Sequence, residues 1–192
     1  MSSVSAVQEK DIVGSPMYHR VVLSVMLFAF WMLLSGNTEI KFVTYGVLTA
    51  VITAWTCYPL LLIPDGKKQR YYYIFDINLF GFIRYFIWLM WQLFLANVDV
   101  IKATTGSELA VNPRVVKFRF VSEHPMAAVI LANSITLTPG TVTMNVTEDG
   151  LFEVHALTDG AADGLKDPDG MPAQVAKLLG QKFEFEMIGE EY

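Results

Sequence analysis

The 192-residue chain has one cysteine, Cys57, and three histidines, His19, His124 and His155, none spaced as a pair of metal ligands. A single cysteine excludes a disulfide framework and a cysteine-bound metal cluster. Charged residues make up 17% of the chain, against about 25% in a soluble domain. Fourteen basic residues face nineteen acidic ones, which argues against a nucleic-acid binder. There is no GxxxxGK[ST] loop and no GxGxxG fingerprint, so nucleotide binding has no support. No nucleophile–base pair is visible, so no catalytic, cofactor or metal residue is assigned and the chain is read as a non-enzyme. Repeats and low-complexity tracts are also lacking. Residues 1–16 have no cationic run of the kind that opens a signal peptide, so the first apolar segment is expected to remain as an anchor.

What the chain has in quantity is hydrophobicity: 53% of its residues, with a mean hydropathy of +0.40. It is concentrated in the first half. Residues 1–112 carry eight basic and seven acidic side chains, and residues 113–192 carry six and twelve. This reads as an integral membrane region followed by an acidic domain. The divisions expected are an N-terminal extension (1–16), a transmembrane helical hairpin (17–63), a basic loop with a long apolar helix (64–112), and a cytoplasmic α+β domain (113–192).

Segment one, Met17 to Ser35, and segment two, Phe42 to Ile63, flank the turn Ser35-Gly36-Asn37-Thr38-Glu39. At 1.5 Å per residue, a helix over segment two reaches about 33 Å, enough for a hydrocarbon core of about 30 Å. Tyr45, Gly46, Thr49, Thr53 and Thr56 suit close helix contact in lipid. Segment three, Ile77 to Ile101, is apolar, but Arg84, Trp88, Trp91, Gln92, Leu95, Asp99 and Lys102 fall within about 100° of one another around a helix. Such a helix either spans the bilayer or lies in its interface. Three spans would divide the basic residues evenly between the two sides. Two spans would gather Lys10, Arg20, Lys67, Lys68, Arg70, Lys102, Arg114, Lys117 and Arg119 on one side against Lys41 alone, which gives a clear positive-inside orientation. Two spans with a cytoplasmic C-terminus are therefore preferred.

In the last 80 residues, Val116, Phe118 and Phe120 alternate with Lys117 and Arg119, predicting a half-buried strand. Met126 to Ala132 predicts a buried helix that stops before Thr138-Pro139-Gly140, a turn with Pro and Gly at its centre. Val142, Met144 and Val146 alternate with Thr141, Thr143 and Asn145. Glu148-Asp149-Gly150 then marks a hairpin, and Phe152, Val154 and Ala156 alternate with Glu153 and His155. Asp159 to Gly170 reads as an acidic, Gly-rich loop, and a last helix covers about Pro172 to Leu179. The order is β-α-β-β-α, a small α+β sandwich with one sheet face covered by helices.

Asp167-Pro168-Asp169-Gly170 looks like part of a calcium loop, but Leu165 and Ala176 occupy the ligand positions at its two ends, so a solvated loop is expected. His155 is read as a surface or packing residue, Cys57 as packing, and Arg84 and Asp99 as interfacial charges. An ion path needs buried ionisable groups. No Asp, Glu, Lys, Arg or His occurs between Arg20 and Glu39 or between Lys41 and Asp65, so this chain alone is a poor conduit.

The stretch Leu131-Ala132-Asn133-Ser134-Ile135-Thr136-Leu137-Thr138-Pro139-Gly140-Thr141-Val142-Thr143-Met144, followed by Val154-His155-Ala156-Leu157, resembles the E-type subunit of the multisubunit Mrp-type sodium/proton antiporters. Phe94-Leu95-Ala96-Asn97-Val98-Asp99-Val100 and Asn112-Pro113 resemble it too. The likeness spans roughly residues 20 to 160; the 159–170 loop and the tail from Gln181 depart from it. The resemblance implies an accessory subunit in the cell membrane, with other membrane subunits of a hetero-oligomeric complex as partners and the ion channels in larger ones. Homologous subunits also occur in the membrane arms of energy-converting hydrogenases and related respiratory complexes, a reading left open beside it. A stand-alone, membrane-tethered binding module is the third. The motif residues Asn133, Thr136, Thr138, Pro139, Gly140 and Thr141 are expected to set a helix-to-strand corner, whether for folding alone or to position the domain.

Overall fold

The computed structural model describes residues 12–64, 71–74, 78–105 and 111–191. The basic run Lys67-Lys68-Gln69-Arg70, most of the N-terminal extension and residues 106–110 lie outside the described residues. The chain divides between residues 76 and 77 into two compact units.

The first unit is a helical hairpin. Helix α1 (Pro16–Ser35) starts with proline in its first turn and ends at Gly36, whose φ of +59° lets its N–H reach back to the Met32 carbonyl. Helix α2 (Ile40–Cys57) continues into a 3-10 turn, Tyr58–Leu61. A short ribbon pairs β1 (Leu62–Pro64) with β2 (Tyr71–Tyr73). The face of α2 that is buried is Gly46, Ala50 and Ala54, a small residue every fourth position that lets two helices approach closely. The threonines predicted for that role are not buried, and the Thr56 hydroxyl turns back to the carbonyl of Ile52. Trp31 lies over Gly46 and donates its indole N–H to the Phe42 carbonyl, 3.3 Å away. At the other end of the hairpin the Arg20 guanidinium sits over the rings of Trp55 and Tyr58, and His19 stacks on Tyr73 at 4.4 Å.

The second unit is a four-stranded antiparallel sheet in the order β4-β5-β3-β6, built from β3 (Arg114–Ser122), β4 (Thr141–Val146), β5 (Leu151–Ala156) and β6 (Phe183–Glu191). Helices α4 (Met126–Leu137), α5 (Asp159–Lys166) and α6 (Met171–Leu179) cover one face. The predicted alternation holds in β3 and β5. Val116, Phe118, Phe120, Phe152 and Val154 are sealed in the core, with Phe118 stacked on Phe152 at 5.0 Å. The other face carries ion pairs from Lys117 to Glu153 and Glu191, and from Arg119 to Asp149 and Glu186.

Two expectations are corrected. The order is β-α-β-β-α-α-β, because residues 159–166 form α5 and residues 183–191 form an edge strand. Thr158 caps α5, its hydroxyl accepting the Ala161 N–H at 3.2 Å. Only residues 167–170 remain a turn, closed by the Asp167 carboxylate on the Asp169 N–H. Strand β6 forms because Phe183 and Phe185 point inward against Phe120 and Phe118, while Glu184 and Glu186 point out.

Helix α3 (Leu79–Thr105) belongs to this second unit. Tyr85 and Leu89 join the domain core, and the Tyr85 hydroxyl shares a buried 2.6 Å hydrogen bond with Ser134 on α4. All three long helices, α1, α2 with its 3-10 extension, and α3, are long and apolar enough to cross a membrane.

Candidate functional site

The corner between α4 and β4 is held by threonine hydroxyls. The last carbonyls of a helix lack intrahelical partners and must find others. Thr138 donates to the Ser134 carbonyl at 2.8 Å, and Thr141 donates to those of Ile135 and Thr138 at 2.6 and 2.9 Å. Thr136 bonds the Ala132 carbonyl and accepts the N–H of Thr143, while Thr143 donates to the same Ala132 carbonyl. The turn itself closes with the Thr141 N–H on the Thr138 carbonyl at 3.2 Å, and Gly140 takes φ +86°. That left-handed value is what a type II turn requires of its third residue. Threonines 141 and 143 therefore face α4, and Val142 and Met144 are exposed; a register shift in β4 between Thr143 and Asn145 breaks the simple alternation.

The corner rests on α3. A Cβ at Gly140 would lie 3.2 Å from a Val100 methyl, so a side chain there would press on α3 as well as strain the backbone. Further along the same helix, Gly81 faces the Leu178 carbonyl of α6. The domain thus contacts α3 from Gly81 to Val100, about 28 Å of helix. On the opposite side Ile83, Phe86, Ile87, Met90, Phe94 and Ile101 are exposed. Between α3, α4, α5 and the start of α6 lies a cavity of about 310 Å³, lined by Trp88, Gln92, Leu95, Asp99, Pro139 and Thr141 among others.

Thr136, Thr138, Pro139, Gly140 and Thr141 share this corner. Asn133 does not join it: it faces outward on α4 and donates to the Val129 carbonyl. His155 lies on the sheet face away from α4, paired across the ladder with Val142 and Val115. Arg84 is exposed, and Asp99 pairs with Lys102 at 3.9 Å, one turn away.

A charged cluster with no local signature in the sequence ties α5 and β6 to β3. Arg114, nine-tenths buried, pairs with Asp159 and with Glu190, the latter at 2.9 Å. Lys166 pairs with the same Glu190 and with Asp163. The Lys166 ammonium, then Arg114, hold the Glu190 carboxyl below its usual value, and Glu190 in turn raises Lys166. Lys166 likewise lowers Asp163. A carboxylate with a lowered pKa stabilises the fold above its unfolded value and loses that contribution as the pH falls through the folded value. The thermal midpoint of the domain is therefore expected to fall on acidification below about pH 4.5, and Glu190→Gln is expected to flatten that fall while lowering the midpoint at neutral pH. Melting curves of the two proteins between about pH 3 and 7 check this; parallel curves would refute it.

Residues 24–169 match the family described as Na+/H+ ion antiporter subunit. The chain is 25% identical over 130 residues to the E1-type subunit of the Na+/H+ antiporter of Staphylococcus saprophyticus, covering 68% of this chain and 76% of the relative. It is 25% identical over 142 residues to the E-type subunit of the Na+/H+ antiporter of Bacillus subtilis, covering 73% and 84%. A solved chain of the membrane-bound sulfane sulfur reductase, an archaeal respiratory membrane complex, superposes with a TM-score of 0.56 at 25% identity, covering 73% of this chain and 83% of that one. With the matched region running from the first membrane helix through the threonine-clamped corner to the end of α5, the chain belongs to the Na+/H+ ion antiporter subunit family and is similar to its E-type members.

Proposed function

We propose that this chain is an accessory subunit of a multisubunit monovalent cation/proton antiporter, supporting assembly and stability and not conducting ions itself. One observation carries the non-conducting part. The hairpin has no Asp, Glu, Lys, Arg or His between Arg20 and Glu39 or between Lys41 and Asp65, and the buried face of α2 is Gly46, Ala50 and Ala54. A route for protons or cations needs groups of the kind that are missing there.

In this reading only α1 and α2 span the bilayer, and α3 lies in the interface with the domain on its cytoplasmic side. The support is geometric. The domain contacts α3 along about 28 Å, close to the whole depth of a hydrocarbon core, about 30 Å. A spanning α3 would pull Arg114, Glu190 and Lys166 toward hydrocarbon, where unsolvated charge is costly. An interfacial α3 instead puts Ile83, Phe86, Met90 and Phe94 in the acyl boundary and leaves Arg84, Asp99 and Lys102 along its rim. The corner at residues 136–141 then seats the domain on this helix. The second reading, the same module in the membrane arm of a redox-driven complex, has its support in the likeness to a chain of a respiratory membrane complex.

Affinity purification of the tagged chain in mild detergent, with mass spectrometry of its companions, tests the reading. Large antiporter-like subunits are the expected companions. Iron–sulfur proteins beside them would move the chain to the redox-driven complex. Recovery of a stable chain alone would overturn both and favour a tethered binding module. In the assembled complex, Arg84→Ala with Asp99→Asn is expected to leave the cation dependence of antiport unchanged at matched abundance.

A further inference from the structure

The cavity of about 310 Å³ inside the second unit is at the lower end of the range of ligand pockets, about 300–1,000 Å³. Its inner wall is apolar: Phe118, Leu131, Ile135, Leu165 and Met171. Gly160 and Gly164 of α5, one turn apart and both exposed, stand at its edge, and a Cβ at either position would meet nothing within 4 Å. Glycine in a helix interior costs about 1 kcal/mol relative to alanine, and Gly164 lies in the interior of this eight-residue helix.

Polar groups stand on its lining from α3 and from the α5–α6 turn: Gln92, Asp99 and Asp167. Leu95 both lines the cavity and is exposed, and it borders the outer apolar side of α3 where Trp91 and Phe94 are exposed. Leu95 thus links the wall of the cavity to the edge of the surface that an interfacial α3 would lay against lipid. We propose that it is a lipid site, taking a segment of one acyl chain from a bilayer phospholipid, with the head held outside at the α3 rim. This rests on the interfacial reading of α3. The carboxylates of Asp99 and Asp167 favour a head that donates hydrogen bonds, so phosphatidylethanolamine is the probe.

The test uses the full chain in bilayers of phosphatidylethanolamine bearing a diazirine in its acyl chain. After irradiation, labelled residues are mapped by mass spectrometry. Carbene insertion is expected at the inner wall, Leu131, Ile135 and Leu165, and also at Phe86, Met90 and Phe94 on the outer side of α3. Gly164→Leu sets a larger side chain, and a better helix former, at the edge of the cavity from a position with free space; it is expected to cut inner labelling about tenfold and to leave the outer labelling and melting temperature intact. Outer labelling without inner labelling would overturn the lipid site and leave the interfacial reading standing. Labelling of neither wall would overturn both. Inner labelling that persists in Gly164→Leu, with Gly160→Leu giving the same result, would also overturn the site.

Discussion

Gly140→Val is expected to lower the steady-state amount of the assembled complex several-fold. Two costs combine. A β-branched residue at φ +86° adopts a conformation that costs L-residues roughly 1–2 kcal/mol. Its Cβ would sit 3.2 Å from a Val100 methyl, and crowding a packed contact costs about 1–3 kcal/mol. Together they approach a large share of a typical stability of about 5–15 kcal/mol. The loss is expected in abundance and not in ion affinity, because Gly140 holds the corner against α3 and, on the function proposed, this chain conducts no ions. Quantifying the complex on native gels, alongside the sodium dependence of antiport per complex, separates the two. Normal assembly with a shifted cation dependence would refute it. Gly140→Ala should show the same defect in milder form.

Gly46→Leu is expected to open the membrane hairpin. A Cβ there would fall 2.4 Å from Trp31 Cδ1 and 2.7 Å from its Nε1, inside any tolerable contact. The indole must leave, and with it goes the hydrogen bond to the Phe42 carbonyl. The expected cost is at least the roughly 1–3 kcal/mol of a crowded core, in an interface where small residues set the helix separation. Trp31→Ala should recover part of the loss, since the two residues meet directly and their effects are not additive. Detergent melting curves of the two single variants and the double variant measure that coupling. Strict additivity would show that the crowding is not between these two side chains.

The parts of this protein that are legible in its sequence share one property: a long or regular hydrophobic pattern. Two apolar runs joined by a short polar turn can only be a hairpin of helices, since lipid leaves backbone groups no other partner. In β3 and β5 the two-residue period of large apolar side chains identifies both the strands and their inward faces. The Pro139-Gly140 pair marks its turn because few residues accept that backbone. Strand β6 carries the same alternating signal in Phe183-Glu184-Phe185-Glu186, but over only four residues, and its place at the sheet edge depends on Phe118 and Phe120 far back in the chain. Helix α5 is hidden by Gly160 and Gly164, which weaken the helical pattern; what supports it is Thr158 at its start and the ion pairs of Asp159 and Lys166 with groups remote in sequence.

By itself, the sequence determined that this is a membrane protein with a small acidic α+β domain, that its hairpin is poor in ionisable groups, and which family it resembles, because composition, period and motif are local quantities. Only the tertiary structure decided that α3 is built into the domain, that Arg114, Asp159, Lys166 and Glu190 form one cluster, and that two glycines of α5 border a cavity on α3. Each of these joins residues many positions apart, and no periodicity along a chain encodes which apolar or charged face will find which partner.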